Sequence, residues 1–101
     1  MDIENKMKKT AILAHIIYHA SKEEIYGSWM MEELRRHKYT ISPGTLYPWL
    51  DDLVQQKILI RTERVVEGKL RKYYHITEFG NKVLKKIREF LRELNREIME
   101  K

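Results

Sequence analysis

The sequence predicts a mainly helical α+β fold: three helices, a two-stranded hairpin and one long terminal helix. Three observations carry that reading. Ser42-Pro43, a helix-start pair, is followed by Leu46, Leu50 and Leu53 at helical spacing. The period then changes to two on either side of Gly68, which is a hairpin signal. From Thr77 onward, Leu84, Ile87, Leu91, Leu94 and Ile98 step by three and four, a heptad seam.

A chain of 101 residues has room for one small domain, and a hydrophobic fraction of 43% supplies one modest core. Twenty Lys and Arg against fifteen Asp and Glu leave a formal net charge of +5. That balance favours polyanionic partners, with double-stranded DNA ahead of an anionic membrane surface. No cysteine is present, which excludes disulfides, thiolate catalysis and cysteine-ligated metal. No apolar run reaches the ~18–20 residues of a membrane span, and the charged start lacks the apolar stretch of a signal peptide. The expected location is therefore cytoplasmic, with no membrane partner. No nucleophile–base pair, metal cluster or phosphate-cradling glycine loop is visible, so no enzyme and no cofactor is expected.

The first helix, 3–20, puts Ile3, Met7, Ala11, Ala14 and Tyr18 on one face, with Ile12, Leu13, Ile16 and Ile17 widening it. Such an apolar girth predicts burial on more than one side. Gly27 ends the following break, and a second helix over 28–37 pairs Met30 with Leu34. The third helix occupies 42–57, and Thr45, Pro48, Asp52 and Gln55 point away from its leucine stripe. Strands follow at 59–67 and 69–76. Alternation puts Leu59, Val65, Leu70, Tyr74 and Ile76 on an expected core face. Ile60, Thr62, Arg64, Val66, Lys69, Arg71, Tyr73 and His75 make up a basic, partly aromatic one. Arg61, Glu63 and Lys72 break the inner pattern and are expected near the free end or edges. Thr77 caps the last helix, with Glu78 in its first turn, where the helix dipole favours a carboxylate.

This order describes a winged helix-turn-helix domain over 1–76, with the recognition helix at about 42–57 and the wing at about 59–76. Residues 77–101 form a long C-terminal dimerisation helix. The seam Leu84, Ile87, Leu91, Leu94 and Ile98 is expected to face a second subunit, while Phe79, Val83 and Phe90 offer another apolar edge.

Ser42-Pro43-Gly44-Thr45-Leu46-Tyr47-Pro48-Trp49-Leu50 resembles the G-T-L-Y-P signature of the PadR-like family of transcriptional regulators. Tyr26-Gly27 resembles the family's start to the second helix. The run from Gly68 through Arg71-Lys72-Tyr73-Tyr74 to Thr77 and Gly80 resembles its passage from wing to helix. The resemblance implies a homodimeric repressor joined through the terminal helix and released from its operator by a small ligand or another cue. Two departures stand out. Asp51-Asp52 replaces the basic pair that family members carry there, and the last helix lacks the tryptophan that lines the effector pore in some of them.

The expected DNA-binding residues fall in two groups. Ser42, Gly44, Thr45, Tyr47 and Pro48 belong to the recognition helix; Arg64, Lys69, Arg71 and Tyr73 belong to the wing. Gly44 equally suits a plain helix start, and Tyr47 suits either packing or a phosphate contact. His15 and His19 share a helix face at i,i+4, but two ligands cannot close a tetrahedral site, so no metal is expected there. Trp29, Met30 and Met31 read as core rather than as a ligand pocket. The rival to a homodimeric, DNA-binding transcriptional repressor is a winged-helix protein-interaction module with little DNA affinity, a reading favoured by Asp51-Asp52.

Overall fold

The computed structural model describes residues 1–99. Its elements run α1 (Ile3–Lys22), α2 (Gly27–Arg36), α3 (Pro43–Gln55), β1 (Leu59–Val66), β2 (Lys69–Ile76) and α4 (Glu78–Ile98). This is a winged helix-turn-helix. Residues 100 and 101, part of the expected terminal helix, lie outside the described residues.

Each helix start has a local cause. Asp2 accepts from the Asn5 amide and caps α1, and Thr77 Oγ1 accepts from the Gly80 amide and caps α4. The Thr77 hydroxyl also donates to the carbonyls of Lys57 and Ile58, which ties the start of α4 to the end of α3. Helices α2 and α3 end alike. Lys38 and Lys57 take positive φ (71° and 67°), and the amides of Tyr39 and Ile58 return to the carbonyls of Leu34 and Leu53 at 2.9 Å. This is the paired-carbonyl stop usually made with glycine, and in each case the next residue is a hydrophobe that packs on the core.

The hairpin turns through Glu67 and Gly68, both at positive φ, with Val66 opposite Lys69 and Leu59 opposite Ile76. Ile25 adds a third rung: its amide donates to the Tyr74 carbonyl (2.9 Å) and the Tyr74 amide donates back (2.8 Å). That bridge anchors the base of the wing to the segment before α2.

The core draws on every element: Ile12, Ile16 and Ile17 of α1, Met30 and Leu34 of α2, Leu46, Leu50 and Leu53 of α3, Leu59 and Tyr74 of the hairpin, and Leu84 of α4. Three expectations are corrected. Val65 and Leu70, placed on the core face, are 71% and 63% exposed. They sit opposite each other at the distal end of the hairpin, where the sheet has outrun the helices that could cover it. Leu84, assigned to the intersubunit seam, is buried in the chain's own core, and Ile87 packs against it. Lastly, the first apolar face of α1 looks outward: Ile3, Met7 and Tyr18 are exposed, while Ile12, Ile16, Ile17 and Ala20 face the core.

The radius of gyration is 14.7 Å, above the ~13 Å of a compact chain this long. The distal half of α4 accounts for the excess. Its 21 residues extend about 32 Å, and Phe90, Leu91, Leu94 and Ile98 are all exposed.

Candidate nucleic-acid interface

Helix α3 buries Leu46, Leu50 and Leu53 and turns Ser42, Gly44 and Pro48 outward, with Thr45 half-exposed. Ser42 holds the N-cap position, yet its hydroxyl bonds the Thr45 hydroxyl (3.3 Å) instead of capping a backbone amide. The first turn of α3 thus presents two hydroxyls and an uncapped positive dipole end. Pro48 lies within the helix on this exposed side. The fold therefore gathers Ser42, Gly44, Thr45 and Pro48 on one uncovered arc.

Tyr47 takes the other side of α3. It is half-buried, and a Cβ built on Gly27 would overlap its hydroxyl and ring. The absence of a side chain at Gly27 is what lets α2 and α3 approach here. Tyr47 then lines a groove shared with Tyr26, Ser28, Lys69, Arg71 and Lys72. The start of α2 opens into this groove without any side-chain cap. Lys72 also lies over the Tyr47 ring, 5.9 Å from its centroid. Tyr26, Ser28 and Lys72 were not among the expected contacts. Tyr26-Gly27, read as a helix-start motif, and Arg71-Lys72, read as part of the passage from wing to helix, are the signals that point toward them.

The wing cations differ in how free they are. Arg64 and Arg71 face each other across the hairpin. Arg64 lies 3.8 Å above the Tyr73 ring and Arg71 4.7 Å above the Tyr26 ring, and the two rings meet edge to face at 5.6 Å. Stacking separates the like charges and fixes their direction. Arg64 is moreover paired with Glu24 at 2.6 Å, so its charge is already matched. Among the described residues Lys69, Arg71 and Lys72 have no carboxylate partner within ion-pair distance. The free positive charge of the wing therefore borders the groove, while Arg64 turns toward Glu24.

The acidic pair on α3 is partly compensated. Arg61 donates to Asp51 at 3.0 Å, and Gln56 donates to Asp52 at 3.2 Å. Arg61 interrupts the inner face of β1 because its work is here, at the base of the wing, rather than at the free end.

A hairpin wing, a third helix with an uncapped start and a groove of unpaired cations together define a winged-helix protein of the nucleic-acid-binding class. The sequence pattern of the transcriptional regulator PadR-like family matches residues 16–86, and the chain belongs to that family. It is 40% identical over 94 residues to the transcriptional regulator Rv3488 of Mycobacterium tuberculosis, covering 93% of this chain and 88% of that protein. A PadR-like transcription factor from Bacteroides fragilis has a similar structure, with a TM-score of 0.84, 27% identity and coverage of 97% and 96% of the two chains. A PadR-like regulator from Bacillus cereus superposes with a TM-score of 0.81 at 29% identity, covering 92% of each. Among the described residues no helix is long and apolar enough to cross a membrane.

Proposed function

We propose that the chain is a homodimeric, sequence-specific repressor that inserts α3 of each subunit into successive major grooves of a palindromic operator and acts in the cytoplasm without enzymatic activity. The groove between α2, α3 and the wing carries this reading. Lys69, Arg71 and Lys72 supply unpaired positive charge there, beside the uncapped start of α2, an arrangement suited to a backbone phosphate. Ser42, Gly44, Thr45 and Pro48 occupy the arc that would meet base edges, Thr and Pro through thymine methyl groups. Tyr47 and Tyr73 position the neighbouring cations. Arg64 joins the phosphate clamp only by giving up Glu24.

Dimerisation is supported by an apolar groove running between α1 and α4, lined by Ile3, Met7, Ile87, Phe90, Leu91 and Leu94. Ile98 continues the seam and is 70% exposed, whereas Leu84 contributes only from below. Release of the operator by a small effector remains part of the proposal through the family.

Selection of bound DNA from a random duplex library, followed by sequencing, tests the function. Enrichment of one palindrome with half-sites about a helical turn apart is the expected result. Failure to enrich any sequence would overturn the reading in favour of a protein-interaction module.

A further inference from the structure

Helices α1 and α2 meet at a cluster that the sequence spreads over 23 positions, from His15 to His37. His15 and His19 stand one turn apart on α1; Glu33 and His37 stand one turn apart at the end of α2. Ligand atoms of the three histidines lie within 4.8 Å of one another. Glu33 Oε2 is 3.4 Å from His19 Nε2 and also 3.4 Å from His37 Nε2. These separations exceed a charge-assisted hydrogen bond. They match the ~3.3–3.4 Å edge of a tetrahedron built on metal–ligand bonds of ~2.0–2.1 Å.

We propose that His15, His19, His37 and Glu33 form a site for one divalent transition-metal ion of the zinc class per chain. Three imidazoles and one carboxylate are a borderline-soft set that suits Zn²⁺ or Co²⁺ rather than Mg²⁺ or Ca²⁺. The surroundings favour it. Arg36 lies 3.6 Å from Glu33 Oε1, which orients the carboxylate and leaves Oε2 toward the histidines. Leu84, Ile87 and Leu91 of α4 wall the same pocket on its apolar side, and His37 is exposed, which leaves an open approach. Arg88 also lines the pocket and is the cation that works against the ion. Rotation of the side chains from the present His15–His37 stack, with ring centroids 4.2 Å apart, closes the remaining distance. Burial lowers the pKa of both His15 and His19 below the usual histidine value. Neighbouring His37 presses in the same direction and Glu33 opposes it. A bound ion would pin the end of α2 to α1 beneath the helix-turn-helix.

The test uses untagged full-length protein and Zn²⁺ alone, titrated against a chromophoric chelator. One ion per chain is expected, together with the visible absorption of four-coordinate Co²⁺ when cobalt is substituted. His37→Gln and His15→Gln should each weaken Zn²⁺ binding at least ~100-fold, and Glu33→Gln ~10–100-fold. His75→Gln, at the remaining histidine, should leave it unchanged. Circular dichroism of each metal-free variant checks folding, and His37→Gln alters only an exposed helix end, so it decides the matter if His15→Gln unfolds. Undiminished binding in His37→Gln, or no binding by the wild type at ~100 μM Zn²⁺, overturns the proposal.

Discussion

Arg61 of the wing donates to Asp51 of α3 at 3.0 Å, so a cation on the hairpin restrains and partly neutralises a carboxylate of the helix proposed to enter DNA. Both groups are partly exposed, and such a pair contributes about 0.2–1 kcal/mol to stability. Its larger consequence is electrostatic. Arg61→Ala frees the carboxylate and should weaken binding to any DNA severalfold, while Asp51→Asn should strengthen it by a similar factor. Fluorescence anisotropy at fixed salt checks both, and equal losses in the two variants would show that Asp51 serves binding directly.

Gly27 and Tyr47 form the second coupled pair. Alanine is intrinsically the better helix former by about 1 kcal/mol. Gly27→Ala should nonetheless destabilise the fold, by roughly 1–3 kcal/mol, because the new Cβ overlaps the tyrosine. Combining it with Tyr47→Ala should recover most of that loss, a non-additivity that denaturant melts of the four proteins measure directly. Simple additivity would mean that the helices part without involving Tyr47.

Tyr74 is fully buried, and its hydroxyl meets no hydrogen-bond partner among the described residues. Its cross-strand neighbour Arg61 donates to Asp51 instead. Tyr74→Phe should therefore leave stability unchanged or raise it by about 1 kcal/mol. Burial, reinforced by Asp51, also pushes the phenol above its usual pKa of 10.0. The folded chain keeps this proton after the unfolded chain has lost it. Stability is therefore independent of this group below pH ~10 and falls as pH rises from there through the raised value. Melting temperatures of Tyr74→Phe should fall less steeply than those of the wild type above pH ~10, and parallel curves would show an ordinary phenol.

The proposed dimer seam is tested at Leu91, which is 58% exposed in the single chain. Leu91→Asp would bury an unpaired carboxylate against its symmetry mate. Sedimentation should show monomers, and operator affinity should collapse beyond the loss of any local contact, because two linked half-sites bind with avidity. A compact dimer with unchanged affinity would move the interface elsewhere on the exposed face of α1.

Much of this architecture is legible in local chemistry. Ser42-Pro43, Thr77 and Gly68 mark the turns and starts, and Leu46, Leu50 and Leu53 mark the buried stripe. These signals are local, and the sequence displays them directly. Alternation along the hairpin separates its two faces correctly but carries no information on how far the helices reach, hence the exposure of Val65 and Leu70. The seam of α4 shows the same ambiguity: Leu84 and Leu91 share a stripe, but only the first has its own domain beneath it. Partnerships across elements are the least legible. Nothing near Asp51 announces Arg61, nothing near Arg64 announces Glu24, and His37 joins His15 only after α2 folds back on α1.

The central claim, that unpaired cations along the wing groove grip phosphate, is tested most directly by the salt dependence of DNA binding. A dimer contacting ~6–8 phosphates should give a slope of log K against log salt of about −5 to −7. Lys69→Ala should weaken binding to all sequences alike and reduce that slope by ~1–2 units, one lysine being lost from each subunit. A wild-type slope near zero, or a slope untouched by Lys69→Ala, would contradict the account.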